Sequence, residues 1–411
     1  MVGLEDLLGN SEDSVRQIAE KKGLTEEERQ REYKDLLRVQ LDILVETLAN
    51  TRNGIKGFGR KGKQKLAKVI TDYATSRYEC SRAEDGTFKK NTYGRGNLER
   101  PFAFHALVVA FLLLDYGADY FTVLAGYKHD NLETMMEEPE RAFTESNLSD
   151  EHKLGALSLR EKAEIEQLRG DVFKLTKKHL AYLHKEPQKK VLQQVDTIVQ
   201  VVARCTRIID NYLKYAESIT FPEEGEEVPV EVKERAALVK IADGHYNLMN
   251  TLGLTIDEQI TALVKAVSVA NAVAKYAYES GERPMTKEMR LILGTRAKTG
   301  ALYRMIDQAY EVAQRVKTSL EEELRTTGRI MTSTQRQLEE DTPSLKLEKG
   351  LWDRYKTYLG GAVEPKTKPE TTRIRKYIDA AIILNELEKF RSIPGYYNRV
   401  IFTKNGQETK T

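Results

Sequence analysis

Cysteine is nearly absent from these 411 residues: Cys80 and Cys205 are the only two, and they have no CxxC spacing. That excludes a disulfide framework and a thiolate zinc knuckle, and it suits a reducing compartment. An excess of charge of one sign is lacking too, because 65 Lys and Arg face 63 Asp and Glu for a formal net charge of +2. Such a balance gives no global attraction to nucleic acid or to an acidic membrane, so any basic group must act locally. No apolar run approaches the ~20 residues that cross a bilayer. The nearest, Ala106 to Leu114, is short and apolar all round, as expected of a helix at the centre of a bundle. The opening Met1-Val-Gly-Leu-Glu-Asp has neither the basic region nor the apolar stretch of a secretion signal, and a cytoplasmic location is expected.

What the chain does have is helical periodicity. Leu36-Leu37, Val39, Leu41, Leu44-Val45 and Leu48 recur at helix-face spacings, whereas alternating strand patterns are scarce, so the expected class is all-α. Length allows two or three domains, or one enlarged helical domain with an appendage. The expected division is an N-terminal helical segment over 1–63, a site-bearing helical domain over 64–262 with an insertion at about 135–231, and a C-terminal helical region over 263–411. Asn53-Gly54 to Gly62 breaks the first helices, and the acidic stretch Phe221-Pro-Glu-Glu-Gly-Glu-Glu-Val-Pro reads as a solvated connection. Residues 286–328 read as one long charged amphipathic stretch. Thr371 to Phe390 reads as another helix, and the C-terminal helices could pair copies of the chain through their apolar faces.

The chemistry-bearing residues sit at helix ends. Pro101 to about Tyr116 reads as a helix ended by Gly117, and Asp119 is the expected N-cap of a second helix that reaches His129-Asp130. In an antiparallel hairpin, the start of the first helix and the end of the second share one end, which brings His105 beside His129. A third helix, from Val232 to about Leu254, carries Asp243 within its apolar face, with Asn247 one turn on. Two imidazoles and two carboxylates, His105, His129, Asp130 and Asp243, make a mixed nitrogen and oxygen set for a divalent metal, with Mn²⁺, Fe²⁺ and Zn²⁺ all suitable.

These blocks resemble a known family. His105-Ala-Leu-Val-Val-Ala, then His129-Asp130-Asn131-Leu132-Glu133-Thr134, then Val239-Lys240-Ile241-Ala242-Asp243-Gly244-His245-Tyr246-Asn247-Leu248 are similar to the HD-type hydrolase domain of the RelA/SpoT alarmone enzymes. The last block, which looks like that family's V-K-L-A-D-R-x-x-N-L element, is the most distinctive. The resemblance covers residues 64 to 254 and implies an HD-type helical bundle, here with inserted and C-terminal extensions. It implies a Mn²⁺-dependent hydrolase that removes pyrophosphate from (p)ppGpp or a related nucleotide. It also implies that His105, His129, Asp130 and Asp243 hold the ion, that Glu133 orients or deprotonates the attacking water, and that Asn247 contacts the nucleotide. Tyr93-Gly94-Arg95-Gly96-Asn97-Leu98-Glu99-Arg100-Pro101 occupies the place of the family's base-contacting loop, with Arg95 as the candidate contact. The partner implied is a small-molecule nucleotide, not a membrane or a nucleic acid.

One position departs from the family pattern: its Glu-Asp pair after the HD dyad is Glu133-Thr134 here, and threonine cannot act as a general base near neutral pH. A nucleotide-sensing or scaffold protein with a degenerate HD pocket therefore stays open as an alternative. So does an HD phosphodiesterase or nucleotidase of different specificity. Two other patterns carry less. Gly57-Phe-Gly59-Arg-Lys-Gly62 satisfies G-x-G-x-x-G but follows a helical stretch, and no Ser or Thr follows Lys63, so it reads as an interhelical loop rather than a phosphate cradle. His179 and His184 lie five apart among lysines, a poor helical spacing for two ligands, and read with His152 as surface residues.

Overall fold

The computed structural model describes residues 23–51, 58–78, 103–130, 186–202, 228–252, 254–279, 286–294 and 300–326. It also describes short stretches among 81–101 and positions 17, 18, 21, 216, 380, 383, 384 and 387. The described residues build an all-α fold, as the periodicity predicts, with two short antiparallel ribbons between helices. In chain order the first elements are α1 (Glu26–Asn50), α2 (Arg60–Tyr78), β1 (Ser81–Arg82), β2 (Phe88–Lys89), β3 (Thr92–Arg95), β4 (Leu98–Pro101) and α3 (Ala103–Asp115). A helix over 120–130 follows as α4. Then come α5 (Glu186–Val202), α6 (Val230–Met249), α7 (Ile256–Glu279), α8 (Lys287–Leu293) and α9 (Ala301–Thr326). None of these helices is long and apolar enough to cross a membrane.

The chain divides into two compact units, one of residues 1–208 and 222–246, the other of 209–221 and 247–411. In the first, α1 packs on α2 and on α3. The apolar run opening at Ala106 is central, as expected: all residues of α3 from Ala103 to Leu113 are buried. An apolar face on every side requires protein on every side, and burial of each such side chain contributes roughly 1.5–3 kcal/mol. The start of α1 is fixed by a capping box, with Thr25 N–H donating to Glu28 and Glu28 N–H donating to the Thr25 hydroxyl.

The α3–α4 hairpin forms by the devices read from the sequence. Gly117 adopts φ 80°, a left-handed conformation open to glycine, while its N–H reaches Leu114 O and the Ala118 N–H reaches Leu113 O, both at 2.9 Å. That pair of bonds is a Schellman stop. Asp119 then caps α4, its Oδ1 accepting from Thr122 N–H at 2.9 Å and from the Thr122 hydroxyl at 2.7 Å. Close packing of the hairpin needs Gly126, since a Cβ there would run into the Leu113 side chain and approach Val109.

Several boundaries differ from expectation. Pro101 does not open α3; it ends β4, opposite Thr92, where a missing N–H costs the ladder least. The stretch 93–101, expected as a loop, contains the ribbon β3–β4, with Tyr93 opposite Arg100 and Arg95 opposite Leu98. The third helix stops at Met249 rather than near Leu254. In the second unit, the described residues of 286–328 form two helices, α8, capped by Gly294 at φ 81°, and α9, which begins at Ala301. There α9 packs on α7 and α8. Among 371–390, positions 380, 383, 384 and 387 are helical, and the rest of that stretch lies outside the described residues.

Candidate metal centre

Three helices of the first unit deliver the quartet. His105 stands in the first turn of α3, His129 and Asp130 are the last described residues of α4, and Asp243 is in α6. The antiparallel hairpin does what the spacing predicts, placing the two Nε2 atoms 3.3 Å apart. Asp130 reaches both rings, with Oδ2 at 3.1 Å from His105 Nε2 and Oδ1 at 3.1 Å from His129 Nε2. Asp243 Oδ1 lies 3.3 Å from His105 Nε2 and 3.8 Å from His129 Nε2.

The spacings among His105, His129 and Asp130 are short enough for one shared ion. With metal–ligand bonds of about 2.0–2.2 Å, adjacent donors around one ion lie roughly 2.8–3.6 Å apart in octahedral or tetrahedral shells, a range that the 3.8 Å between Asp243 Oδ1 and His129 Nε2 just exceeds. The candidate ligand atoms of His105, His129 and Asp130 all lie within 4.8 Å of one another, so the group could hold a metal ion. All four residues are at most 9% exposed, and buried carboxylates facing imidazoles need a shared charge to justify their burial.

Local contacts aim the rings. The His129 Nδ1–H donates to Gly126 O at 2.6 Å, which fixes the tautomer and turns Nε2 toward the carboxylates. The His105 ring meets Tyr246 edge-on, centroids 4.8 Å apart, and Tyr246 is fully buried on α6. Asp119 ties the hairpin to α6, its Oδ2 accepting from Arg235 at 2.7 Å. Beside the dyad, Lys128 pairs with Asp196 of α5 at 2.5 Å, both buried.

The electrostatics are those of a proton shared among buried imidazoles and carboxylates. Burial opposes charge on His129, but the Asp130 carboxylate and then Asp243 outweigh it and lift the imidazole to about 9. Burial likewise opposes ionisation of Asp130, yet the charge of His129 and the hydrogen bond from His105 bring it down to about 2. For Asp243 the same burial is overcome first by Lys240 and then by hydrogen bonds from both imidazoles, holding the carboxyl well below its usual range. A divalent cation can take the place of such a proton.

Glu133 and Thr134 lie outside the described residues, as do His152, His179 and His184. Arg95 is the last residue of β3. Asn247 is half-buried one turn beyond Asp243 on α6. Lys63 makes no phosphate loop: Gly59 O accepts from Gly62 and Lys63 N–H at the start of α2, and Lys63 Nζ donates to Thr51 O at 2.8 Å. The Lys63 carbonyl accepts from Tyr120, which joins α2 to α4. A groove between α1 and α2, lined among others by Asp42, Glu46, Lys61, Lys65 and Lys68, shares no residue with the quartet.

Two residues at the site were missed from sequence. Lys240, 5% exposed, donates to Asp243 Oδ2 at 3.3 Å, and Tyr246 braces His105. Their positions three before and three after Asp243, on one helical face, were the available signal. No protein-family model, no curated protein and no solved structure matches the chain.

Proposed function

We propose that this chain is a metal-dependent phosphohydrolase of the HD type acting on a nucleotide pyrophosphate, with (p)ppGpp or a related purine nucleotide as the leading substrate. The observation that carries the reading is the convergence of His105, His129, Asp130 and Asp243, from three helices, onto one buried point with ligand-like spacings. The V-K-I-A-D block that contributes Asp243 adds the sequence likeness to alarmone hydrolases.

The donor set suits a divalent first-row ion, Mn²⁺ foremost, then Fe²⁺ or Zn²⁺. Such an ion supplies a bound water of lowered pKa and a Lewis acid for a phosphoryl oxygen. The chain's own groups do the rest. His129, held by Gly126, and His105, braced by Tyr246, present fixed nitrogens. Asp130 and Asp243 supply negative charge. In this reading Glu133 orients or deprotonates water, and Asn247 and Arg95 contact the nucleotide. The test is incubation of the full chain with Mn²⁺ and a nucleotide panel, followed by product analysis. Pyrophosphate release from (p)ppGpp that is lost in Asp130→Ala supports the reading, and release undiminished in Asp130→Ala sinks it.

Thr134 favours a second reading, a nucleotide sensor that keeps the pocket but not the turnover, because a carboxylate expected beside Glu133 is absent. Tight nucleotide binding without turnover under any divalent metal separates it from the first. An HD phosphodiesterase or nucleotidase of other specificity is separated by product in the same panel.

A further inference from the structure

We propose that Lys240 is the positioning residue that sets how Asp243 meets the ion, holding one carboxylate oxygen so that only the other is delivered to the imidazole pair. The inference rests on the metal-holding reading above and deepens it. Lys240 precedes Asp243 by three residues on α6, so both side chains share a face, and both are buried. The two oxygens of Asp243 are divided: Nζ lies 3.3 Å from Oδ2, while Oδ1 faces His105 Nε2 at 3.3 Å and His129 Nε2 at 3.8 Å.

That division has a chemical consequence. A carboxylate with both oxygens available can chelate a cation two-fold, whereas one engaged by an ammonium group offers a single oxygen. A one-oxygen Asp243 leaves the ion a position for water or for a phosphoryl oxygen. Lys240 also alters the charge. Next to the carboxylates of Asp130 and Asp243, the Lys240 ammonium group makes an ion-loaded centre one unit more positive than it would be without it, which favours a phosphate anion. Burying an ammonium group in an apolar helix face is costly, and a lysine needed only for solubility would sit outside.

The experiment compares full-length wild type, K240M and K240R. Mn²⁺ is titrated in while water-proton relaxation reports the waters on the bound ion, and inorganic pyrophosphate is then titrated into the loaded protein. In K240M the bound Mn²⁺ is expected to lose about one water to a chelating Asp243. Pyrophosphate is expected to bind about tenfold or more weakly. K240R, which keeps the charge, stays closer to wild type in both. Wild-type hydration and wild-type pyrophosphate affinity in K240M would overturn the proposal even if its melting temperature fell, since that pattern marks a merely structural lysine. If K240M does not fold, K240Q carries the same two readouts. Failure of wild type to bind Mn²⁺ would overturn the metal-holding reading and this one with it. Binding by wild type with K240M unchanged would overturn this one alone.

Discussion

His129 turns its Nδ1–H onto the carbonyl of Gly126, three residues back on the same helix, at 2.6 Å. The same glycine lets that helix lie against Leu113 and Val109 of α3. One residue therefore sets both the tautomer of a candidate ligand and the closeness of the hairpin that carries the other.

Gly126→Ala tests this coupling. The added methyl meets the Leu113 side chain, and overpacking of a filled core costs roughly 1–3 kcal/mol. Stability by urea unfolding and Mn²⁺ affinity should fall together, and G126A/L113A should recover part of the stability. An unchanged unfolding midpoint in Gly126→Ala would refute the close-approach explanation.

The titration of the quartet gives the pH dependence. In metal-free folded protein His129 holds its proton up to about 9, against an ordinary 6.5, so between those values the folded state binds one more proton than the unfolded state. Stability from this group is full below 6.5 and declines as pH rises through about 9. Asp130 and Asp243 act at the other end, contributing above the usual carboxylate range and losing their contribution as pH falls toward about 2 and below. Unfolding in the presence of a chelator should show the alkaline decline, and H129Q should flatten it. Calorimetry in buffers of different ionisation heat should also find about one proton released per Mn²⁺ bound at neutral pH. A flat stability profile from pH 6 to 9.5 would contradict the assignment.

Asp119 serves two elements at once, capping α4 through Oδ1 and pairing with Arg235 of α6 through Oδ2. Loss of the cap alone costs about 0.5–2 kcal/mol. Asp119→Ala should therefore exceed that range, because it removes the pair as well. Asp119→Asn, which keeps a capping oxygen, should cost markedly less. Equal losses in the two variants, measured by thermal unfolding, would mean that the cap contributes nothing.

The hairpin and its quartet were legible in the sequence because each depended on local chemistry. Gly117 had to accept a positive φ, Asp119 had an oxygen for a first-turn N–H, and an apolar run from Ala106 had nowhere to go but the core. The imidazole pair followed from hairpin geometry alone. Elements set by a partner were not legible. The β3–β4 ribbon is four residues a side, and its bonds exist only because Thr92 to Arg95 lies against Leu98 to Pro101. Lys240 stands in the V-K-I-A-D block of the sequence, but its burial against Asp243 Oδ2 shows only once α6 is packed. Lys63, whose glycine-rich neighbourhood already read as an interhelical loop rather than a phosphate cradle, closes the end of α1 with its ammonium group through Thr51 O.

The central claim is that four side chains from α3, α4 and α6 hold one divalent ion, and equilibrium dialysis against Mn²⁺ tests it most directly. Wild type should bind one ion per chain, with affinity reduced at least a hundredfold in Asp130→Ala and His105→Ala while the far-ultraviolet circular dichroism stays helical. Stoichiometric Mn²⁺ binding at wild-type affinity in Asp130→Ala would contradict it.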